Sequence, residues 1–241
     1  MTQRGLGMID VQQITKLYGQ FLAVSDVSFK AEAGDIVGFL GPNGAGKTTT
    51  IRMLSTFLPP TSGTAKIAGY DIIEQADEVR KRIGYLPENP PLYDEMKVVE
   101  YLKFIAQIKG VPSGNIRSRI NDVIERCFLG SVTTKLCRQL SRGYRQRVGL
   151  AQAIIHDPAV VILDEPTSGL DPKQIIDIRE TIKGLREKRT VIFSTHILPE
   201  VQAVCNKVVI INRGRVVRSD SLQDLVQQAS LEQVFMESIA L

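Results

Sequence analysis

No apolar run in the 241-residue chain approaches the roughly 18 residues that a helix needs to cross a bilayer. The opening residues MTQRGLGMID have no apolar segment of the kind a secretory signal carries. Cysteine is scarce: Cys127, Cys137 and Cys205 are odd in number and have neither CxxC nor Cys/His metal spacing. They read as three reduced thiols, which excludes a disulfide scaffold and a zinc module. Charge of one sign barely dominates, since 30 Lys and Arg against 26 Asp and Glu leave +4. That excess is too small to argue for nucleic acid. No internal repeat or low-complexity stretch is visible, so the chain reads as one unit and not as a tandem pair. What remains is an ordinary soluble globular composition, 43% hydrophobic and 23% charged, long enough for one sizeable core. If such a chain serves a membrane, it does so through a partner.

The hydrophobic pattern alternates between strand and helix. Residues 8–40 read as strands, with β-type Val11, Val24, Val27 and Phe29 and turns at Tyr18-Gly19 and Ala33-Gly34. Ile36–Leu40 reads as a buried strand and 48–58 as a helix stopped by Pro59-Pro60; 64–70 and 82–86 read as further strands. Residues 89–157 differ in texture, with helices expected at 98–109, 115–127 and 143–156 after a Pro-rich lead-in. They read as a helical subdomain inserted into a core made of 1–88 and 158–220. Val160–Leu163, Val191–Ser194 and Val208–Ile211 read as buried strands. Ile175, Ile178, Ile182 and Leu185 share one face of an amphipathic helix over 173–188, and 221–241 reads as a helical tail. This alternation predicts an α/β fold with a mostly parallel sheet covered on both sides.

Two segments carry chemistry on their own residue types. Gly41-Pro42-Asn43-Gly44-Ala45-Gly46-Lys47-Thr48, followed by Thr49, fits GxxxxGK[ST] between a strand and a helix. The glycines let successive N–H groups point inward at phosphate oxygens, and the helix N-terminus adds its dipole. Lys47 can reach the β- and γ-phosphates, and Thr48 can place its hydroxyl on Mg²⁺. Asp164-Glu165 ends the strand 160–163, which is expected to run beside the strand before the glycine loop. Asp164 then suits Mg²⁺, and Glu165 suits a general base for the attacking water. Two adjacent acids are otherwise a solvated turn, but the apolar run before them and Pro166-Thr-Ser-Gly after them argue against that. No Asn-Lys-x-Asp guanine-reading segment is present, which disfavours a Ras-like GTPase.

Leu140-Ser141-Arg142-Gly143, downstream of this loop and just before the Asp164 strand, narrows the class. The combination resembles the ATP-binding-cassette (ABC) ATPases over nearly the whole chain. The resemblance implies a P-loop NTPase (RecA-like) core with an N-terminal antiparallel β subdomain and an inserted helical subdomain. It implies ATP and Mg²⁺ as ligands. It makes His196, at the end of a third core strand, a γ-phosphate contact, and Tyr18 the aromatic residue that stacks on adenine. It also implies a head-to-tail pair of cassettes, each offering Ser141, Gly143 and their helix start to the nucleotide held by the other. Ser168-Gly-Leu-Asp171 matches the loop that contacts the partner cassette, which brings Asp171 into the site.

Two departures refine the likeness. The segment after Leu140-Ser141 is Arg-Gly-Tyr-Arg-Gln where the family commonly has Gly-Gly-Gln, and Glu88 stands where it usually has Gln. Glu88 adds a carboxylate expected to strengthen the hold on Mg²⁺. With Asn89-Pro-Pro-Leu-Tyr93, these features resemble the ATPases of bacterial ABC-2-type exporters, of the gliding-motility and sodium- or drug-export kind. The expected partners are an integral membrane permease and a second ATPase copy, with no nucleic acid. The expected location is the cytoplasmic face of the bacterial inner membrane, held there by the permease. Leu92, Tyr93, Met96, Val98 and Val99 are expected either to contact the permease or to be ordinary core. A soluble ABC protein acting on ribosomes or DNA is the rival, but the second cassette or the coiled-coil and zinc insertions of such proteins are missing.

Overall fold

The computed structural model describes residues 8–186 and 189–240. The described part of the chain opens with a hairpin, β1 (Ile9–Tyr18) and β2 (Phe21–Ala31), then enters β3 (Ile36–Leu40) and α1 (Lys47–Leu54). A second hairpin follows, β4 (Ser62–Ile67) and β5 (Tyr70–Asp71), then α2 (Ala76–Arg82) and β6 (Ile83–Leu86). Three helices come next: α3 (Val98–Ile108), α4 (Ile116–Arg126) and α5 (Arg142–Ile154). The core resumes with β7 (Val160–Asp164), α6 (Pro172–Leu185), β8 (Thr190–Thr195), α7 (Leu198–Val204) and β9 (Lys207–Asn212). The last elements are β10 (Arg215–Ser221), α8 (Leu222–Gln228) and α9 (Leu231–Ala240).

These elements form two sheets. The smaller is antiparallel with order β2-β1-β4-β5. The larger has order β10-β9-β3-β8-β7-β6 and is parallel from β9 to β6, with β10 antiparallel at one edge. Alternation along its strands serves two cores. Val37, Phe39, Val160, Ile162, Ile192, Val209 and Ile211 face the small sheet and α1. Ile36, Leu40, Val161, Leu163, Val191, Phe193, Val208 and Ile210 face the helical side, where α3–α5 share their core. Each such side chain contributes about 1.5–3 kcal/mol by leaving water.

The expected α/β fold with a mostly parallel sheet is present; its strand order corrects one expectation. β7 does not run beside β3, because β8 pairs with both and lies between them. Residues 48–58 are not all helix either. α1 stops at Leu54, where Thr56 turns left-handed (φ 59°). The amides of Thr56 and Phe57 return to the carbonyls of Met53 and Arg52, a closing pair that usually uses glycine. The strand expected over 64–70 is broken by Ala68-Gly69, both at positive φ, into a hairpin pairing Ile67 with Tyr70. Arg82, expected in a strand, ends α2. The helix expected over 173–188 spans 172–185, and its last two expected residues, like Leu241 of the tail, lie outside the described residues. All three cysteines are unpaired and buried, and burial pushes the Cys127 thiol up to about 12. Leu92 and Val98 belong to the core and Met96 and Val99 are packed against it, whereas Tyr93 is exposed.

Candidate functional site

The loop between β3 and α1 wraps a cavity of about 410 Å³. Gly46 closes it at φ 102°, with Ala23 of β2 directly behind, so that a Cβ there would lie 2.8 Å from the Ala23 carbonyl oxygen. Both facts require glycine. Asn43, Gly44, Gly46, Lys47, Thr48 and Thr49 line the cavity together with Glu88, Glu165 and His196. Phe21, Ala23 and Ser168 complete the wall.

Lys47 is nearly buried at 6% exposure. Its ammonium donates to the carbonyls of Gly41 (2.8 Å) and Pro42 (3.2 Å) and pairs with Glu165 at 3.4 Å. Ala45 contributes backbone only, its carbonyl accepting from Gly214 N. The Thr48 hydroxyl donates to Asp164 Oδ1 (3.1 Å), and the Ser194 hydroxyl donates to the same oxygen at 2.6 Å. Burial raises the Asp164 carboxyl above its usual range, opposed by those two hydrogen bonds and reinforced by the charges of Glu165 and Glu88. Glu165 sits in the left-handed region at φ 45°, which costs about 1 kcal/mol or more for a residue with a Cβ. Its N–H donates to Ser194 Oγ (2.8 Å), and its carboxylate accepts from His196 Nδ1 at 3.1 Å.

A nearly buried ammonium beside a glycine-lined cradle suits a polyphosphate. The oxygen set of Thr48, Asp164 and Glu88 fits Mg²⁺, a hard cation that takes one or two carboxylates plus substrate phosphates and keeps several waters. Among the described residues there is no group of three His, Cys, Asp or Glu that could hold a metal ion by itself.

Eight expected site residues do not line the cavity: Tyr18, Gly41, Pro42, Ala45, Ser141, Gly143, Asp164 and Asp171. Tyr18 pairs across the β1–β2 hairpin with Phe21, which does line it. Ser141 caps α5 through a long 3.5 Å contact from Tyr144 N, while Gly143 is pressed against the Gln174 side chain. Asp171 caps α6, accepting from Gln174 N at 2.9 Å. Sequence reasoning assigned no role to Phe21 or to Ser194. For Ser194 a signal existed: a hydroxyl ending an otherwise apolar strand, two residues before His196.

Fold and site together define a P-loop nucleotide-binding protein. Residues 24–168 match the ABC transporter family, and the chain belongs to it. It is 39% identical over 222 residues to the ABC transporter ATP-binding protein NatA of Bacillus subtilis, covering 90% of each chain. It is 40% identical over 211 residues to the bacitracin transport ATP-binding protein BcrA of Bacillus licheniformis, covering 87% of this chain and 68% of that one. A solved ATP-binding subunit of an ABC transporter superposes with a TM-score of 0.87 at 30% identity, over 96% of this chain and 99% of the other. A dimeric ATP-binding cassette in a post-hydrolysis state, bound to ADP and Pi, gives 0.81 at 25% identity, over 89% and 99%. The chain is thus an ATP-hydrolysing, ATP-binding subunit of an ABC transporter, and its likeness to the ABC-2-type exporter ATPases holds. None of its described helices is long and apolar enough to cross a membrane.

Proposed function

We propose that this chain is the energy subunit of an ABC-2-type exporter. Two copies would pair head to tail around two Mg-ATP and drive a separate permease at the cytoplasmic face of the membrane. The observation that carries this reading is the split of the site. Glu165, Lys47 and His196 share one cavity, whereas Ser141 and Gly143 open α5 outside it. A second copy is the economical way to bring them to the same phosphate. Relatives support the exporter part, among them one named for Nod factor export, 35% identical over 91% of this chain.

In this reading the Gly41–Thr48 loop binds the phosphates and Lys47 exchanges its carbonyl partners for β- and γ-phosphate oxygens. Thr48, Asp164 and Glu88 would hold Mg²⁺, which neutralises phosphate charge when bound. Glu165 takes the proton of the attacking water. His196 orients Glu165 through its Nδ1 contact with the carboxylate. Tyr93 and the partly buried Met96 and Val99 are the contacts left for the permease once Leu92 and Val98 are counted as core.

The test is Glu165→Gln, which keeps shape and removes the base. Steady-state ATPase should fall at least about a hundredfold. The variant should sediment as a dimer with Mg-ATP and as a monomer without it. Wild-type turnover in a variant that stays monomeric would overturn the reading.

A further inference from the structure

We propose that Glu200 is a positioning residue for hydrolysis: its carboxylate sets the spacing between Glu165 and His196. The inference rests on the cavity being the ATP site and on Glu165 being the base. Glu200 sits in the first turn of α7, is 1% exposed and does not line the cavity. Burying a carboxylate is costly unless its oxygens are bonded. Here both are: the Thr167 hydroxyl donates to Oε1, and the Thr195 hydroxyl donates to Oε2 at 2.7 Å. Both threonines are buried as well.

The two hydroxyls come from the two segments that carry the reacting pair. Thr167 lies in the turn that Glu165 opens, where Ser168 N donates to the Glu165 carbonyl at 3.1 Å. Thr195 ends β8 immediately before His196, whose Nδ1 meets the Glu165 carboxylate at 3.1 Å. The Thr195 hydroxyl also accepts from Ile197 N at 3.0 Å, so it braces the backbone on both sides of His196. Glu200 therefore closes a bridge from the Glu165 turn to the His196 segment. An ionised carboxylate only accepts, so both hydroxyls turn their protons to it and neither segment moves without breaking a bond. An apolar side chain of similar volume could fill the space, but it would direct neither segment. The phosphate loop meets this bridge through a long bond, from Gly41 N to the Thr195 carbonyl at 3.4 Å. Nucleotide affinity therefore depends on Glu200 far less than the rate does.

The experiment measures ATP hydrolysis and, by calorimetry, Mg-ATP affinity in the full chain, at a temperature where each variant is folded. Glu200→Gln keeps the shape and loses one acceptor. It should lower kcat about ten- to a hundredfold, the order that an ångström of misplacement costs, and leave Mg-ATP affinity within about threefold. Thr195→Val should lower kcat in the same way, and Thr195→Ser, which keeps the hydroxyl, should restore most of the rate. In a His196→Ala background Glu200→Gln should cost less than about twofold more, because the group it positions is gone. If Glu200→Gln does not fold, the contrast between Thr195→Val and Thr195→Ser reads the same link. Wild-type kcat in Glu200→Gln, equal losses of rate and affinity, losses that multiply in the double variant, or a serine variant as slow as the valine one would overturn the proposal. Failure of the underlying reading looks different: wild type would not bind Mg-ATP, or Glu165→Gln would hydrolyse it as wild type does.

Discussion

Gly84 on β6 touches the backbone of α5 directly, and replacing it with alanine should cost stability and activity together. A Cβ built there lies 2.0 Å from the Ala153 carbonyl oxygen and 2.8 Å from its carbon. Ordinary contact begins near about 3.5 Å, so strand and helix must part by more than an ångström. The obstacle is main chain, with no rotamer to move aside. Overpacking of this kind costs about 1–3 kcal/mol. For a chain of this length each kcal/mol shifts Tm by about 2–4 °C, which gives a loss on the order of 5 °C. α5 starts at the Ser141–Gly143 segment, and β6 leads into Glu88, so the same displacement shifts the two ends of the proposed machinery. ATPase should fall several-fold at temperatures where the variant is folded. Gly184→Ala is the opposing control: it sits exposed in α6 with nothing within 4 Å of the added carbon. It should raise stability by about 0.5–1 kcal/mol through helix propensity alone. Thermal melts of both variants decide the matter, and a Gly84→Ala protein that melts with wild type would refute the packing argument.

Three further outcomes are expected. Glu88→Gln should retain turnover while the Mg²⁺ midpoint of the ATPase moves to higher concentration; an unchanged titration would sink the metal role of Glu88. Ser194→Ala removes the hydroxyl that serves both Asp164 Oδ1 and Glu165 N, so denaturant unfolding should report a loss of about 1–3 kcal/mol, with turnover reduced. His156 is held neutral: burial, then Lys109, lower its pKa to about 4, while Nε2 is bonded to the Ile83 carbonyl at 3.0 Å. The unfolded chain takes up this proton near pH 6.5 and the folded chain only near 4, so stability is full above 6.5 and falls as pH drops through that window, by up to about 3 kcal/mol. His156→Phe should flatten this part of the pH–stability curve, and an unaltered slope would show that other groups set it.

Much of the phosphate side of the site was legible because its chemistry is local. A strand, a glycine loop and a helix start are consecutive in sequence, and their spacing alone brings Lys47 and Thr48 to one cavity. Asp164 and Glu165 were legible for a similar reason, as acids ending an apolar run. Strand order was not, because the order of parallel strands depends on which crossovers pack best and leaves no local mark. The end of α1 was hidden because Thr56 does what glycine usually does, and the β4–β5 turn because Ala68-Gly69 lacks the Asn or Asp that announces such turns. Phe21 was overlooked because one aromatic residue in a hairpin has no meaning until β2 is known to press on the phosphate loop.

The inserted strand β8 explains how an unfavourable backbone at Glu165 is kept. β8 stands between β7 and β3. From there Ser194 reaches both Asp164 and Glu165 at once, and the next residue, Thr195, donates to Glu200 Oε2 at 2.7 Å. Thr167, from the loop after Glu165, donates to the other oxygen of Glu200, which is 1% exposed. The ends of β7 and β8 and the start of α7 are thus tied through one buried carboxylate that has both oxygens bonded. Each link is worth about 1 kcal/mol or more in such surroundings, enough together to exceed the cost of the left-handed turn. The general base proposed here therefore owes its direction to a strand whose place in the sheet the sequence did not disclose.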